Sequence, residues 1–147
     1  MPSHHERRPM PWTPAQLCEL VADVEKYPQF IPWCVASRVT RRDGDTFWAE
    51  LVIGFKMIRE SYVSRVKVTH PHRIDIDYER GPFKSLTNIW IFEDDGKGGT
   101  VVDFQLDFEF RSRLLAGVMS AFFQEAVRLM VGAFEKRARE LYGPGKV

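Results

Sequence analysis

The chain has 147 residues, of which 44% are hydrophobic and 28% are charged, and its formal net charge is +1. This length and composition predict one globular domain (1–147), and two cysteines are too few for a disulfide framework. The balanced charge argues against a DNA-binding protein, and we find no export signal and no stretch of membrane-spanning length, so the cytoplasm is the expected location.

A capping box, Thr13-Pro-Ala-Gln16, marks the start of the first helix. Apolar residues then recur at helical spacing until Pro28 disfavours helical geometry, which predicts a helix from Pro14 to Glu25. The run from Asp23 to Cys34 follows it and is rich in aromatic side chains. Its prolines exclude a regular helix or a central strand, so we expect this turn to meet another apolar surface.

From Val35 to Phe110 the apolar period changes to two, which is typical of strands. Turn signals divide this region at Asp43-Gly44, His70-Pro71, Gly81-Pro82 and Gly96 to Gly99. The pattern predicts an antiparallel meander with one face in water.

The segment from Ser112 to Tyr142 is predicted to be a helix about 45 Å long. Its apolar stripe is predicted to cover the sheet and consists of Leu115, Val118, Phe122, Ala126, Leu129, Ala133, Phe134 and Leu141. The elements together predict an α+β domain of two layers, in which six or seven curved antiparallel strands surround a long C-terminal helix. One helix need not fill such a sheet, so we expect a residual hydrophobic cavity.

Three polar residues fall on otherwise apolar strand faces: Glu60, Ser64 and Asn88. A buried polar group needs a partner, so these side chains are candidates to contact polar atoms of a ligand, with Ser64 and Asn88 as donors. The alternative is that they satisfy each other or backbone groups. Cys34 is interpreted as a buried structural thiol.

Other chemistry has little support in the sequence. His70 and His72 flank Pro71 in a turn, but no further ligands stand at a spacing typical of a metal site. A phosphate-binding glycine loop, a nucleophile elbow and a dinucleotide fingerprint are absent from the sequence. These absences favour a binding protein over an enzyme.

Seven segments together resemble the coenzyme Q-binding START-domain family, whose bacterial members are also labelled ribosome association toxins, within the polyketide cyclase and lipid-transfer superfamily. The segments are Asp23 to Cys34, Ala49 to Phe55, Glu60 to Ser64, Gly81 to Leu86, Trp90 to Phe92, Phe108 to Ser112 and Ala133 to Arg137. The resemblance implies a helix-grip (START-like) fold with a hydrophobic tunnel, and a first strand near His4 to Met10.

The resemblance also implies a function. The expected ligand is ubiquinone or a related prenylated lipid, carried without any other cofactor and delivered to the respiratory chain by a bacterial cytoplasmic protein that contacts the inner membrane peripherally. One alternative is a ribosome-associated factor that contacts the large subunit and blocks subunit joining. Another is a polyketide cyclase or aromatase with Glu60 or Tyr62 as acid or base.

The candidates to line the tunnel are the apolar residues on predicted inward faces or in the aromatic turn, for each of which plain core packing is the alternative. They are Phe30, Trp33, Phe55, Leu86, Trp90, Phe122, Leu129 and Phe134, with Glu60, Ser64 and Asn88 as polar contacts. If arginines converge beside the turn from Phe30 to Trp33, its aromatic rings are expected to dip into an anionic membrane.

Overall fold

The computed structural model describes residues 3–55 and 58–144, and the side chains of Phe55 and Ile58 lie outside that description. Its seven-stranded antiparallel sheet has the order β1-β7-β6-β5-β4-β3-β2. The strands are β1 (Ser3–Met10), β2 (Cys34–Asp43), β3 (Thr46–Phe55), β4 (Ile58–Thr69), β5 (Arg73–Arg80), β6 (Phe83–Asp94) and β7 (Thr100–Phe110). The predicted meander is confirmed, and so is the first strand that the resemblance implied.

The first helix, α1 (Pro14–Ala22), begins at the predicted capping box. The Gln16 amide donates to Thr13 Oγ1 at 3.1 Å, and the Thr13 amide donates to Gln16 Oε1 at 3.0 Å. The helix ends three residues earlier than predicted because Asp23 leaves helical geometry. A 3-10 helix (Val24–Gln29) follows and turns Val24 and Tyr27 into the core.

The long helix, α2 (Arg113–Tyr142), has 30 residues and lies against the concave face of the sheet. Its N-cap is Ser112, whose Oγ accepts a hydrogen bond from the Leu115 amide at 3.3 Å. The prediction that no segment reaches membrane-spanning length is wrong for α2, which is long and apolar enough by length and composition. A core helix has the same properties, and α2 buries one side here.

The predicted apolar stripe of α2 is only partly the buried one. Ala126 and Phe134 are buried as expected, but Leu129 and Leu141 are exposed. The buried side is rotated relative to the prediction and consists of Phe123, Ala126, Val127, Met130, Val131, Phe134 and Ala138. The core therefore lies between this side of α2 and the inward faces of the strands.

The C-terminal end of α2 is fastened to the segment between β1 and α1. Trp12 is 1% exposed, and its Nε1 donates to the Gly143 carbonyl at 2.9 Å. The Trp12 carbonyl in turn accepts a hydrogen bond from Thr100 Oγ1 at 2.6 Å. Strand β7 and the end of α2 are thus joined through one residue, Trp12, by its backbone carbonyl and its side chain.

Candidate functional site

A cavity of about 140 Å³ lies between the concave face of the sheet and α2. The strands contribute Leu51, Tyr62, Val66, Ile76, Leu86, Phe104, Leu106 and Phe108, α2 contributes Met119, Phe123, Val127, Met130 and Phe134, and the turn after α1 contributes Tyr27, Ile31 and Trp33. The expected residual cavity is confirmed.

Six of the eleven residues predicted to contact a ligand lie together in its wall: Trp33, Ser64, Leu86, Asn88, Trp90 and Phe134. Trp90 and Phe134 have ring centroids 5.2 Å apart, so strand β6 and α2 meet at this point. Their contact with a ligand stays a prediction, but one ligand in this cavity could reach all six because they line the same wall.

Four predicted residues lie outside the wall. Phe30 packs behind it, with its ring centroid 5.3 Å from that of Phe134. Phe122 and Glu60 are half-buried without lining the cavity, and Leu129 points away from it because the buried side of α2 is rotated. The prediction for Phe55 falls on a side chain outside the described residues.

The aromatic rings of the turn from Phe30 to Trp33, for which membrane contact stays a prediction, pack against α2. Trp33 belongs to the cavity wall and donates its Nε1 hydrogen to the Ala126 carbonyl at 3.2 Å. The Phe30 ring lies against Phe134, with the Arg137 guanidinium 5.3 Å from its centroid. Both rings are thus engaged by the protein, because α2 packs directly over this turn.

The polar wall residues Asn88 and Ser64 differ in their hydrogen bonding. Asn88 Nδ2 donates to the Gln105 carbonyl at 2.8 Å, and Asn88 Oδ1 accepts from Trp90 Nε1 at 3.0 Å. For Asn88 the alternative of local satisfaction is therefore correct. Ser64 is 2% exposed, and its Oγ has no hydrogen-bond partner among the residues that the structure describes. An unpaired buried hydroxyl is unfavourable by about 1 to 3 kcal/mol, so Ser64 is the wall residue that a polar ligand atom would satisfy.

The wall carries no charged side chain among the residues that the structure describes. Burial raises the pKa of both Tyr27 and Tyr62 above the ordinary value of 10.0, so both phenols stay neutral in the physiological range. Burial also raises the pKa of Cys34 to about 11 and outweighs a backbone hydrogen bond with Ala36 that acts in the opposite direction. Such surroundings favour a neutral apolar ligand, because an unpaired ion would lose its hydration.

The size of the cavity limits what it holds in this conformation. Apolar cavities of about 150 Å³ accept a benzene-sized ring. The 140 Å³ here is therefore matched to one ring or a short branched hydrocarbon unit. A longer ligand would have to extend out of the cavity or widen it by displacing α2.

Several wall residues were missed in the sequence although a signal for them was present. Met119, Phe123, Val127 and Met130 recur at spacings of three or four and lead to the predicted Phe134, which makes a second helical stripe beside the one predicted. On β7, the alternation that identified one apolar face already contained Phe104, Leu106 and Phe108. The sequence does not indicate how deep each of these residues lies in the cavity.

The two turn histidines have local partners. His70 Nε2 lies 3.2 Å from Glu19 Oε2, and His72 Nδ1 lies 3.0 Å from the Phe92 carbonyl oxygen. Within residues 3–55 and 58–144, no group of three His, Cys, Asp or Glu side chains is placed to hold a metal ion. The cavity is thus the feature that organises the candidate site.

Residues 10–135 match the family described as polyketide cyclase/dehydrase and lipid transport. The chain is 31% identical over 144 residues to the ribosome association toxin RatA of Pseudomonas aeruginosa, covering 97% of this chain and 100% of that protein. It is also 38% identical over 136 residues to the mitochondrial coenzyme Q-binding protein COQ10 homolog B of Xenopus laevis, covering 90% of this chain but 56% of that protein.

Solved structures agree with the fold. An 18 kDa protein of Caulobacter crescentus is 38% identical, with a TM-score of 0.78 and coverage of 97% of this chain and 99% of its own. The Zhui aromatase/cyclase of a Streptomyces species has a TM-score of 0.84 at 14% identity, covering 99% of both chains. At that identity the similarity shows the helix-grip architecture alone.

Proposed function

Because the chain belongs to the polyketide cyclase/dehydrase and lipid transport family, we propose that its cavity binds ubiquinone or a related prenylated lipid and that the protein supports delivery of this ligand to the respiratory chain. The relative named for coenzyme Q binding supports the choice of a quinone. We propose further that this occurs in a bacterial cytoplasm at the inner membrane, where such quinones reside.

The single observation that carries the proposal is the unpaired Ser64 hydroxyl in a wall of uncharged, mostly apolar side chains. A quinone ring is flat and apolar, and its carbonyl oxygens accept hydrogen bonds. Ser64 Oγ would donate to one such oxygen, and the surrounding rings would contact the quinone faces. The ligand would thereby satisfy a buried wall hydroxyl that has no partner among the described residues.

The prenyl tail would be held by the area it buries rather than by directed contacts. At about 0.8 kcal/mol per buried methylene, one five-carbon unit contributes about 3 to 4 kcal/mol before ordering costs. Since the cavity of 140 Å³ matches a single ring, the tail is proposed to run along α2 toward the surface. This arrangement makes the ring the buried end of the ligand.

The proposed role is binding without turnover. Glu60 lies outside the wall, and Tyr62 lies in it but keeps its proton because burial raises its pKa. The wall therefore holds no carboxylate and no imidazole that could act as a base among its described residues. The described wall thus offers no base for an aromatase or cyclase mechanism, and its neutral Tyr62 phenol can serve only as a proton donor.

The test is a titration with a ubiquinone analogue that carries two isoprene units. Trp33 and Trp90 line the cavity, so binding should quench tryptophan fluorescence saturably with one site per chain. Ser64→Ala should weaken binding about 2-fold to 10-fold, since one hydrogen bond contributes about 0.5 to 1.5 kcal/mol. Ser37→Ala is the matched control, because Ser37 Oγ is also buried and unpaired but does not line the cavity.

Unsaturable quenching, or equal affinity in both serine variants and the wild type, would contradict this assignment. A second measurement is mass spectrometry of an organic extract of protein purified from a ubiquinone-producing host. Co-purified quinone near one molecule per chain would support the proposal. An extract without quinone, from a protein that also fails the titration, would refute it.

A second candidate is a ribosome-associated factor, favoured by the full-length match to a ribosome association toxin. The edge strand β2 would supply the contact with ribosomal RNA, since Arg38, Arg41 and Arg42 are exposed on it. Arg41 already lies 4.3 Å above the Trp48 ring, an arrangement that also suits stacking on bases. Co-sedimentation with large ribosomal subunits at moderate salt, lost in an Arg41→Ala, Arg42→Ala double variant, would support this candidate.

A further inference from the structure

The N-terminal half of α2 is apolar on two opposite sides. Its inner side carries Met119 and Phe123, which line the cavity. On its outer side, Leu114 is 77% exposed and Leu129 is 38% exposed, with exposed Ala121 and half-buried Val118 between them. Spacings of four, three and eight residues place these four side chains on one helical face, which also carries the half-buried Glu125 between Ala121 and Leu129. We call Leu114, Val118, Ala121 and Leu129 the outer stripe.

The outer stripe is a local feature and not a general property of the helix. Within the most apolar stretch of 18 residues in α2, 28% of the residues are buried. Further along the same side, the helix carries the exposed charged residues Lys136, Arg139 and Glu140, as a solvated helix face does. An exposed apolar patch that ends at Leu129 and gives way to charged residues indicates an interaction surface.

Three arginines border the outer stripe, and one of them, Arg111, also donates from Nε to the Phe83 carbonyl at 3.0 Å. Arg111 and Arg113 are exposed at the N-terminal end of α2, whose first turn contains no acidic residue. The helix dipole makes this end partially positive, so cations there are unfavourable and carboxylates would stabilise the helix. A third exposed arginine, Arg128, precedes Leu129 directly. Their placement suits an anionic partner.

The neighbouring hairpin between β5 and β6 adds charge to the same end of the molecule. It is joined to the helix by the Arg111 amide, which donates to the Pro82 carbonyl at 3.0 Å. Arg80 and Lys84 flank this hairpin, together with the carboxylates Glu79 and Glu109, of which Glu109 lies 4.0 Å from Lys84 Nζ. With Arg111 and Arg113 included, cations outnumber carboxylates in this set.

We propose that the outer stripe, with Arg111, Arg113 and Arg128, docks on the surface of an anionic lipid bilayer. An interfacial helix buries an apolar face at the headgroup boundary while its cations contact anionic lipids, which is the arrangement that α2 presents. The role of this docking rests on the proposed quinone function, because α2 also forms part of the cavity wall. A ligand could then pass between the bilayer and the cavity along the helix.

The test is flotation of the full chain with phosphatidylcholine vesicles, with and without phosphatidylglycerol. The wild type should float with the anionic vesicles and should be released by high salt. A Leu114→Ser, Leu129→Ser double variant should lose at least about 10-fold in partitioning. Arg113→Gln should lose about 5-fold on the anionic vesicles alone. Leu141→Ser is the matched control, because Leu141 is a 52% exposed leucine at the other end of α2 and should float like the wild type.

Circular dichroism and thermal unfolding of each variant separate loss of docking from loss of folding. Equal flotation of the double variant and the Leu141 control would overturn the proposal, and so would a dimer in solution that the Leu114→Ser change dissociates. The quinone titration is performed without vesicles. Quinone binding without flotation refutes docking alone, and flotation without quinone binding refutes the proposed function alone.

Discussion

Arg8 on β1 donates a hydrogen bond from Nη1 to Glu135 Oε1 on α2, so the edge strand holds the helix that closes the cavity. The bond to Glu135 raises the pKa of the Arg8 guanidinium. Arg8 Nε also donates to Glu6 Oε2 at 3.2 Å, and Glu6 Oε1 lies 2.7 Å from His4 Nε2. Polar groups on the inward side of β1 therefore form a chain that ends on the helix.

Replacing Glu135 by glutamine should loosen this connection. The pair is partly exposed, so we expect a loss of about 0.5 to 1 kcal/mol in the free energy of unfolding. Urea unfolding of Glu135→Gln measures it, with Glu140→Gln as the control, because Glu140 is an exposed carboxylate on the same helix. Equal stability of the two variants would show that the Arg8–Glu135 pair does not hold the helix.

Trp12 is expected to be among the most sensitive positions of the chain. Trp12→Ala removes a fully buried ring and its hydrogen bond to the Gly143 carbonyl, which predicts a loss of about 3 to 5 kcal/mol. Trp12→Phe keeps most of the buried area and should lose clearly less. Thermal and urea unfolding measure both variants, and a Trp12→Ala protein as stable as Trp12→Phe would contradict the anchoring role of the ring.

Asp103 should make stability depend on acid pH. Burial alone would raise its pKa, but hydrogen bonds from Gln105 and His5, with the charge of Arg7, outweigh that effect and lower the pKa below 3.8. A carboxyl with a lowered folded-state pKa stabilises the protein above its unfolded pKa, and this contribution disappears as the pH falls through the folded-state value.

The variant Asp103→Asn should accordingly lose about 1 to 2 kcal/mol at pH 7, since several charge-assisted hydrogen bonds are weakened. The difference from the wild type should shrink as the pH falls below about 3.8. Urea unfolding at pH 7 and at a pH below about 3.8 measures this difference. The control is Asp107→Asn, because Asp107 is an exposed aspartate on the same strand. A difference that is independent of pH would contradict the ionic role.

The two cysteines should resist thiol reagents in the folded protein. Cys18 and Cys34 are buried and form no disulfide, and burial raises the pKa of each to about 11. At pH 8 few thiolates form, and access is restricted, so reaction with a disulfide reagent should be many times slower than in denaturant. Rapid labelling of either cysteine in the native protein would show that its site opens readily.

Local signals carried much of this fold. The capping box located the start of α1, and each of the four turn signals from Asp43-Gly44 to Gly96–Gly99 lies between two strands. These features were predictable because they depend on neighbouring residues alone. The strand β1 came from the family resemblance, since eight residues with charged side chains such as Arg7 and Arg8 have no clear strand pattern.

The rotation of α2 was not predictable for a physical reason. Its N-terminal half is apolar all round, so periodicity indicates a helix but does not choose between the side with Met119 and Phe123 and the side with Val118 and Phe122. Likewise, a strand pattern puts Ser64 and Asn88 on the inward face but does not reveal their hydrogen bonding. Asn88 bonds with Trp90 and Gln105, whereas Ser64 Oγ has no partner among the described residues.

The contact between Trp12 and Gly143 joins residues that are 131 positions apart. During synthesis, the sheet emerges before α2, and the greater part of its concave side is left without the cover that these 30 residues provide. Until then the nascent chain displays the aromatic side chains of β6 and β7 to its surroundings. Shortened chains that end before α2 should therefore aggregate or be degraded instead of accumulating as a smaller stable domain.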